Sequence, residues 1–162
     1  MDGSEIHTLY IQSFAKRNKM NKPECKTYPN GDKEWYLNGK HHREDGPACE
    51  YPNGTKEWWL NGKRHREDGP ACEWANGAKL WYLNGKRHRE DGPAVEYANG
   101  RKGWYLNGKR HREDGPACED TNGYKEWLLN DEEVDPETIV DLWLAKNIYC
   151  FYNVETDCLE FE

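Results

Sequence analysis

Four histidines, His42, His65, His88 and His111, each open the same run, His-Arg-Glu-Asp-Gly-Pro-Ala. Imidazole beside two carboxylates and a guanidinium is the raw material of acid–base catalysis or of metal binding. The spacing speaks against both. The runs recur every 23 residues without a gap, and if each repeat contributes two strands, equivalent side chains lie about 10 Å apart at about 4.8 Å per strand. Ligands of a single ion must sit about 2 Å from it, so a ladder of histidines cannot share a zinc. An active site is one asymmetric constellation, whereas here the same set is written four times. The structural role these residues support is that each Arg pairs with a nearby Asp or Glu and stacks on an aromatic ring, worth about 0.5–1 kcal/mol per unit. Glycine-rich phosphate loops and Ser or Cys nucleophile motifs are absent, so neither an enzyme nor a cofactor nor a metal is expected.

What positions these runs is the repeat itself. A fixed period of this length marks an array whose units bury their apolar faces only against neighbours. The repeats span 28–50, 51–73, 74–96 and 97–119, with a partial fifth over 120–134. Each holds two Asn-Gly pairs, such as Asn53-Gly54 and Asn61-Gly62, and Asn-Gly between alternating residues signals a hairpin because both positions tolerate positive φ. One strand of a unit is Lys56–Leu60; the other starts at Lys63 and is kinked where Asp68-Gly69-Pro70 removes a ladder donor. The expected fold is an all-β repeat array, a single antiparallel meander of β-hairpins, with a short N-terminal helix and a C-terminal helix-containing cap.

Alternation sorts the faces. Trp35, Trp58, Trp81, Trp104 and Trp127 share a side with the Leu two residues later, and that side is the expected core. Tyr36, Trp59, Tyr82, Tyr105 and Leu128 point the other way; this second aromatic row is either further packing or a partner-binding surface. Eight Trp and ten Tyr against three Phe mean that most large rings keep a polar handle, which suits a thin array better than a deep globule. Cys49, Cys72 and Cys118 share one repeat position with Val95, so that position reads as a small apolar socket rather than half of a disulfide. Cys25, Cys150 and Cys158 lack zinc-ligand spacing.

The ends differ from the middle. Residues 1–27 form a leader in which Ile6, Leu9, Tyr10 and Phe14 fall at helical spacing. Residues 135–162 form an acidic cap: Asp135-Pro136 is a helix start, Asn147 a plausible stop, and Ile148–Glu162 alternates in a strand-like way. The net charge of −7 belongs to this end, where residues 120–162 hold two Lys/Arg against twelve Asp/Glu. No apolar run approaches membrane-spanning length and no signal peptide is legible; a reducing cytoplasm is the expected compartment, the host's if the protein is viral.

The aromatic strand ending in Tyr-Leu-Asn-Gly-Lys, followed by His and Gly at short intervals, resembles the MORN (membrane occupation and recognition nexus) repeat, in the divergent 23-residue form of bacterial, phage and large-virus proteins. The resemblance covers about residues 28–130, with Arg43, Arg66, Arg89 and Arg112 standing where the usual pattern has a Gly after the His. It implies a hairpin array used for protein contacts. The expected function is a non-enzymatic interaction module that binds and inhibits a partner protein, a phage- or virus-encoded inhibitor of host defence; a bacterial immunity or antitoxin protein, or a nucleic-acid or nucleotide-binding array, is the alternative. The expected partner is a basic, nucleic-acid-processing protein rather than a nucleic acid. The residues expected to meet it are Tyr36, Trp59, Tyr82 and Tyr105 with the acidic Asp131, Glu132, Glu133 and Asp135.

Overall fold

The computed structural model describes Glu5, His7 and residues 22–156, with side chains of that run as far as Asn147. Glu5 and His7 are helical; the rest of the expected leader helix lies outside the described residues, as do 157–162. The chain runs through β1 (Glu24–Thr27), β2 (Lys33–Leu37), β3 (Lys40–His41) and β4 (Cys49–Glu50). Then come β5 (Lys56–Glu57), β6 (Trp59–Leu60), β7 (Lys63–Arg64) and β8 (Cys72–Glu73). The same four pieces recur as β9 (Lys79–Leu80), β10 (Tyr82–Leu83), β11 (Lys86–Arg87) and β12 (Val95–Glu96), and again as β13 (Lys102–Gly103), β14 (Tyr105–Leu106), β15 (Lys109–Arg110) and β16 (Cys118–Glu119). β17 (Lys125–Glu126), β18 (Leu128–Leu129) and β19 (Glu132–Glu133) lead into helix α1 (Pro136–Thr156).

The antiparallel meander forms, but each long strand is divided between two rows. One row is an 11-stranded sheet of order β1-β2-β4-β5-β8-β9-β12-β13-β16-β17, with β3 attached to β2. The other is a series of two-stranded hairpins, β6–β7, β10–β11, β14–β15 and β18–β19. The chain changes rows at the tryptophan: the Trp58 amide donates to Ala71 O at 2.8 Å on the sheet side, while its carbonyl accepts from His65 N at 3.1 Å on the hairpin side. Successive hairpins are then tied together by backbone bonds, Gly85 N to Arg64 O at 2.8 Å and Arg66 N to Tyr82 O at 3.1 Å in the middle of the array. Every unit therefore satisfies its polar backbone against its neighbour, which is why the array needs no deep core.

The two Asn-Gly pairs of a unit do different work. Asn61-Gly62 and its equivalents have positive φ at both residues, 51° and 78° here, as a two-residue type I′ hairpin requires. In the other pair only the Gly does; Gly54 stands at φ 91° behind a turn closed by Gly54 N to Tyr51 O, and the Asn contributes its side chain instead, Asn53 Oδ1 accepting from Thr55 N at 2.9 Å. In the fifth unit, where the Gly is missing, the hairpin still closes, with Asn130 and Asp131 at φ 57° and 70°.

The core lies elsewhere than alternation predicts. Most of the buried apolar residues are small, Ala48, Cys49, Ala71, Cys72, Ala78, Ala94, Val95, Ala117 and Cys118, joined by Leu80, Leu128 and Ile139, and His42 is buried as well. Tyr82 and Tyr105 pack against the Cys72–Leu80–Val95 cluster, so the second aromatic row, not the first, closes over the core, and the Trp row is left half-buried on the opposite side. The physical reason is size: the sheet positions facing the centre hold Ala, Cys or Val, too small to reach across, and a ring from the hairpin row must complete the packing. The cysteine position is the apolar socket expected of it, and burial pushes the thiols of Cys49 and Cys72 up to about 12.

The C-terminal helix starts as expected, Thr138 N bonding Asp135 O at 3.0 Å with Pro136 at the first helical position. It does not stop at Asn147, and the alternating strand expected after it is absent as far as Thr156. Asn147 turns its Nδ2 back onto Trp143 O at 2.8 Å, within the helix, and neither Gly nor Pro follows before Thr156 to break it. No helix among the described residues is long and apolar enough to cross a membrane.

Candidate functional site

The second aromatic row is a stack rather than a free surface. Along it, the rings of Tyr36, His41, Trp59, Tyr82 and Tyr105 follow one another with the guanidinium groups of Arg64 and Arg87 among them: His41 lies 4.5 Å from Tyr36 and 5.5 Å from Trp59, centroid to centroid. The Arg64 guanidinium lies 4.9 Å from the Trp59 ring and 5.7 Å from that of Tyr82, and that of Arg87 lies 5.1 Å from Tyr105. Glu34 closes the first unit by accepting from Tyr28 and Tyr36; its bond to Tyr36 holds its carboxyl below the usual range and the phenol above its own. Glu57 does the same for Trp59 Nε1 at 2.9 Å and Arg64 Nη2 at 3.1 Å. Leu80 and Gly103 replace that Glu in the next two units, and there Arg87 donates to the Tyr82 and Tyr105 hydroxyls at 3.3 and 3.4 Å.

The acidic residues do not form one patch. Asp131 is exposed but tied to Arg110, its Oδ1 accepting from Arg110 N at 3.0 Å and Nε at 3.1 Å, and the first of these bonds holds its carboxyl below the usual range. Glu132 and Glu133 are exposed on β19, and Asp135, exposed as well, gives its backbone carbonyl to the start of α1. Of the eight residues expected to meet a partner, Glu132, Glu133 and Asp135 have exposed side chains outside the side-chain bonding just described.

The open features lie on the other side, between successive His-Arg-Glu-Asp-Gly-Pro loops. In each loop the Arg is the keystone. Arg66 stacks 4.0 Å above the Trp58 ring, donates through Nε to Asp68 at 2.9 Å, and through Nη1 to Pro70 O at 3.3 Å and Glu73 at 3.1 Å. The bond from Arg66 holds the Asp68 carboxyl below its ordinary value. Glycine is needed at Gly69 because a Cβ there would lie 3.1 Å from Arg66 Cζ. The His fixes the loop to the next unit: His65, His88 and His111 each accept a backbone N–H through Nδ1, from Asn84, Asn107 and Asn130, at 3.1–3.2 Å. With Nδ1 as acceptor the ring proton sits on Nε2, facing the Glu of the same loop 3.5–3.6 Å away. Arg and His thus build the loop, as the repeat of their positions suggests, and no group of three or more His, Cys, Asp or Glu among the described residues could hold a metal.

Pairs of these loops enclose clefts. One has Trp58 and Leu60 as its floor between the loops of Arg43 and Arg66; the next has Trp81 and Leu83 between those of Arg66 and Arg89; both are close to 750 Å³. A third, close to 740 Å³, has Trp104 and Leu106 as its floor, and Trp143 and Lys146 of α1 line it as well. The rims carry Glu44, Glu67 and Glu90, whose side chains are 84% exposed. The clefts escape a reading of the sequence because their two walls come from different repeats; the legible trace of them is the Glu that precedes each Asp.

The chain matches no family model, and no curated protein is significantly similar to it.

Proposed function

We propose that this is a non-enzymatic, protein-binding array of MORN-like repeats that engages its partner on the Trp-floored side. One observation carries this: equivalent clefts, each with an apolar floor and a carboxylate rim, recur along the array, while the Arg and His of the same loops hold the repeats together. Repetition of that kind offers several weak contacts in register, so that a partner touching two clefts gains from effective concentration. A module with this surface acts by covering what it binds. That is the inhibitor role the repeat resemblance implies, against host defence if the protein is viral or against a toxin if it is an immunity protein. The exposed carboxylates favour a basic partner.

A photoreactive amino acid at Leu60 or Leu83, on the cleft floor, should crosslink the same protein in cells of the native source. The same group at Thr55 or Tyr97, near the sheet turns, should not. Absence of any crosslink from the floor positions, or equal crosslinking from all four, would rule out the Trp side as the binding face.

A second reading, a nucleic-acid array, has one observation in its favour: a slot close to 380 Å³ between neighbouring hairpins, lined by Trp59, Tyr82, Lys63, Lys86 and Arg64. Arg64 is already paired with Glu57 there, and retention of single-stranded nucleic acid that falls steeply with salt is the result that would support this use.

A further inference from the structure

The third cleft is bordered by the chain's own helix α1, whose Trp143 lines its edge while still 49% exposed. Lys146 of α1 forms an ion pair with Glu113 on its rim, and Trp143, three residues earlier and so on the same helix face, lines the same cleft with Trp104 and Leu106. The helix leaves a measurable footprint: the Glu113 side chain is 41% exposed, where the equivalent Glu67 and Glu90 remain at 84%. The Lys146 bond holds the Glu113 carboxyl below its usual range. Because the repeats are equivalent, Glu67 stands to Trp58 and Glu90 to Trp81 as Glu113 stands to Trp104. Among the described residues only the array's own loops line those two clefts.

Resting on the protein-binding reading above, we propose that the clefts at Trp58 and Trp81 are docking sites for a helix of another protein that carries an aromatic residue and, three positions on, a lysine or arginine. α1 is the built-in example of the ligand. The aromatic ring lies along the edge of the Trp and Leu floor, as Trp143 does, and the cation meets Glu67 or Glu90, neither of which has a Lys or Arg partner among the described residues. A helix of a second copy is a poorer occupant: α1 follows β19 after two residues, Val134 and Asp135, and such a tether gives its own cleft an effective concentration in the millimolar range for short linkers.

The probe is a synthetic peptide of residues 135–156, titrated calorimetrically into the full-length protein. Two equivalents are expected to bind, with affinity falling as salt rises. A Trp143→Ala peptide should bind at least about tenfold more weakly and a Lys146→Ala peptide about two- to fivefold. In the protein, Glu67→Gln with Glu90→Gln should reproduce the lysine effect, and because both side chains are exposed the fold should survive, which circular dichroism checks. Three results would overturn the proposal: no binding; binding abolished by Glu113→Gln but untouched by Glu67→Gln with Glu90→Gln, meaning that the peptide merely displaces α1; or self-association of the protein that the peptide competes away, meaning that a second copy is the occupant. If the peptide fails while Leu60 still crosslinks a partner, the array binds proteins on this side but reads some other segment.

Discussion

His65 accepts, through Nδ1, the backbone N–H of Asn84 at 3.1 Å, across the boundary between consecutive repeats. Asn84 is the left-handed residue of the next hairpin turn, at φ 52°, so one imidazole both satisfies a donor and fixes where the following hairpin sits. Replacing His65 by Phe leaves that N–H without a partner, and the expected loss is about 1–3 kcal/mol in urea unfolding. His65→Asn, which keeps an acceptor, should lose less, and nitrogen NMR of the native protein should show the proton of His65, His88 and His111 on Nε2.

Trp81→Ala and Tyr82→Ala should cost similar amounts, about 2–4 kcal/mol each. Alternation alone predicts a much larger loss at the Trp. The structure evens the two because Trp81 is half-buried beneath Arg89, whose guanidinium lies 4.2 Å from its ring, while Tyr82 packs on the Cys72–Leu80–Val95 cluster and accepts from Arg87. A Tyr82→Ala variant as stable as the parent in thermal and urea melts would contradict this arrangement.

Acid should loosen the loops. The Arg partners hold the carboxyls of Asp45, Asp68 and Asp91 below their ordinary values, so the folded state binds these protons more weakly than the unfolded chain does. The stabilisation is complete above the unfolded carboxyl range, about pH 4, and is lost as pH falls through the lower folded values. Asp68→Asn should flatten the dependence of the unfolding midpoint on pH below about 5 and leave the slope at neutral pH unchanged.

Cys72 should resist alkylation in the folded protein at neutral pH while Cys25 reacts, because one thiol is buried and pushed up to about 12 and the other is exposed. Cys72→Val, the exchange the chain itself makes at Val95, should cost less than about 1.5 kcal/mol. Peptide mapping after brief iodoacetamide treatment checks the first claim and denaturant melts the second.

Charge reversal at the acidic end should separate into two classes. Glu132→Lys with Glu133→Lys changes exposed strand residues and should leave the unfolding transition in place. Asp131→Lys removes the acceptor of two Arg110 bonds from a residue at positive φ, and it should lower the midpoint and disorder the β18–β19 hairpin. Equal midpoints for the two variants would show that the Asp131–Arg110 bonds contribute nothing.

Much of the hairpin plan is legible in the sequence because few residues accept positive φ, and Asn-Gly at fixed intervals leaves the backbone little choice. The core was harder to read for a reason visible at Trp58. A period of two separates the faces of a strand that stays in one sheet, but here the backbone passes from sheet to hairpin row at that residue, and small side chains such as Ala71 and Cys72 take the centre. The Arg ladder follows from the repeated positions of Arg and its acidic neighbours; the clefts do not, because the loops of Arg43 and Arg66 face each other across Trp58 only when two repeats are stacked. Asn147 misled in a different way: the same side chain that can end a helix can also bond back within one.

The crossing at each tryptophan makes the array a ruler with 23-residue graduations. Excising residues 74–96 would join Glu73 to Tyr97, and His65 would find Asn107 where it had found Asn84, Arg66 N would find Tyr105 O in place of Tyr82 O, and Gly108 would meet Arg64. Duplicating the same segment would add one more cleft and alter neither end. Gain or loss of a whole graduation thus changes reach and valence without asking any surviving side chain to find a new kind of neighbour.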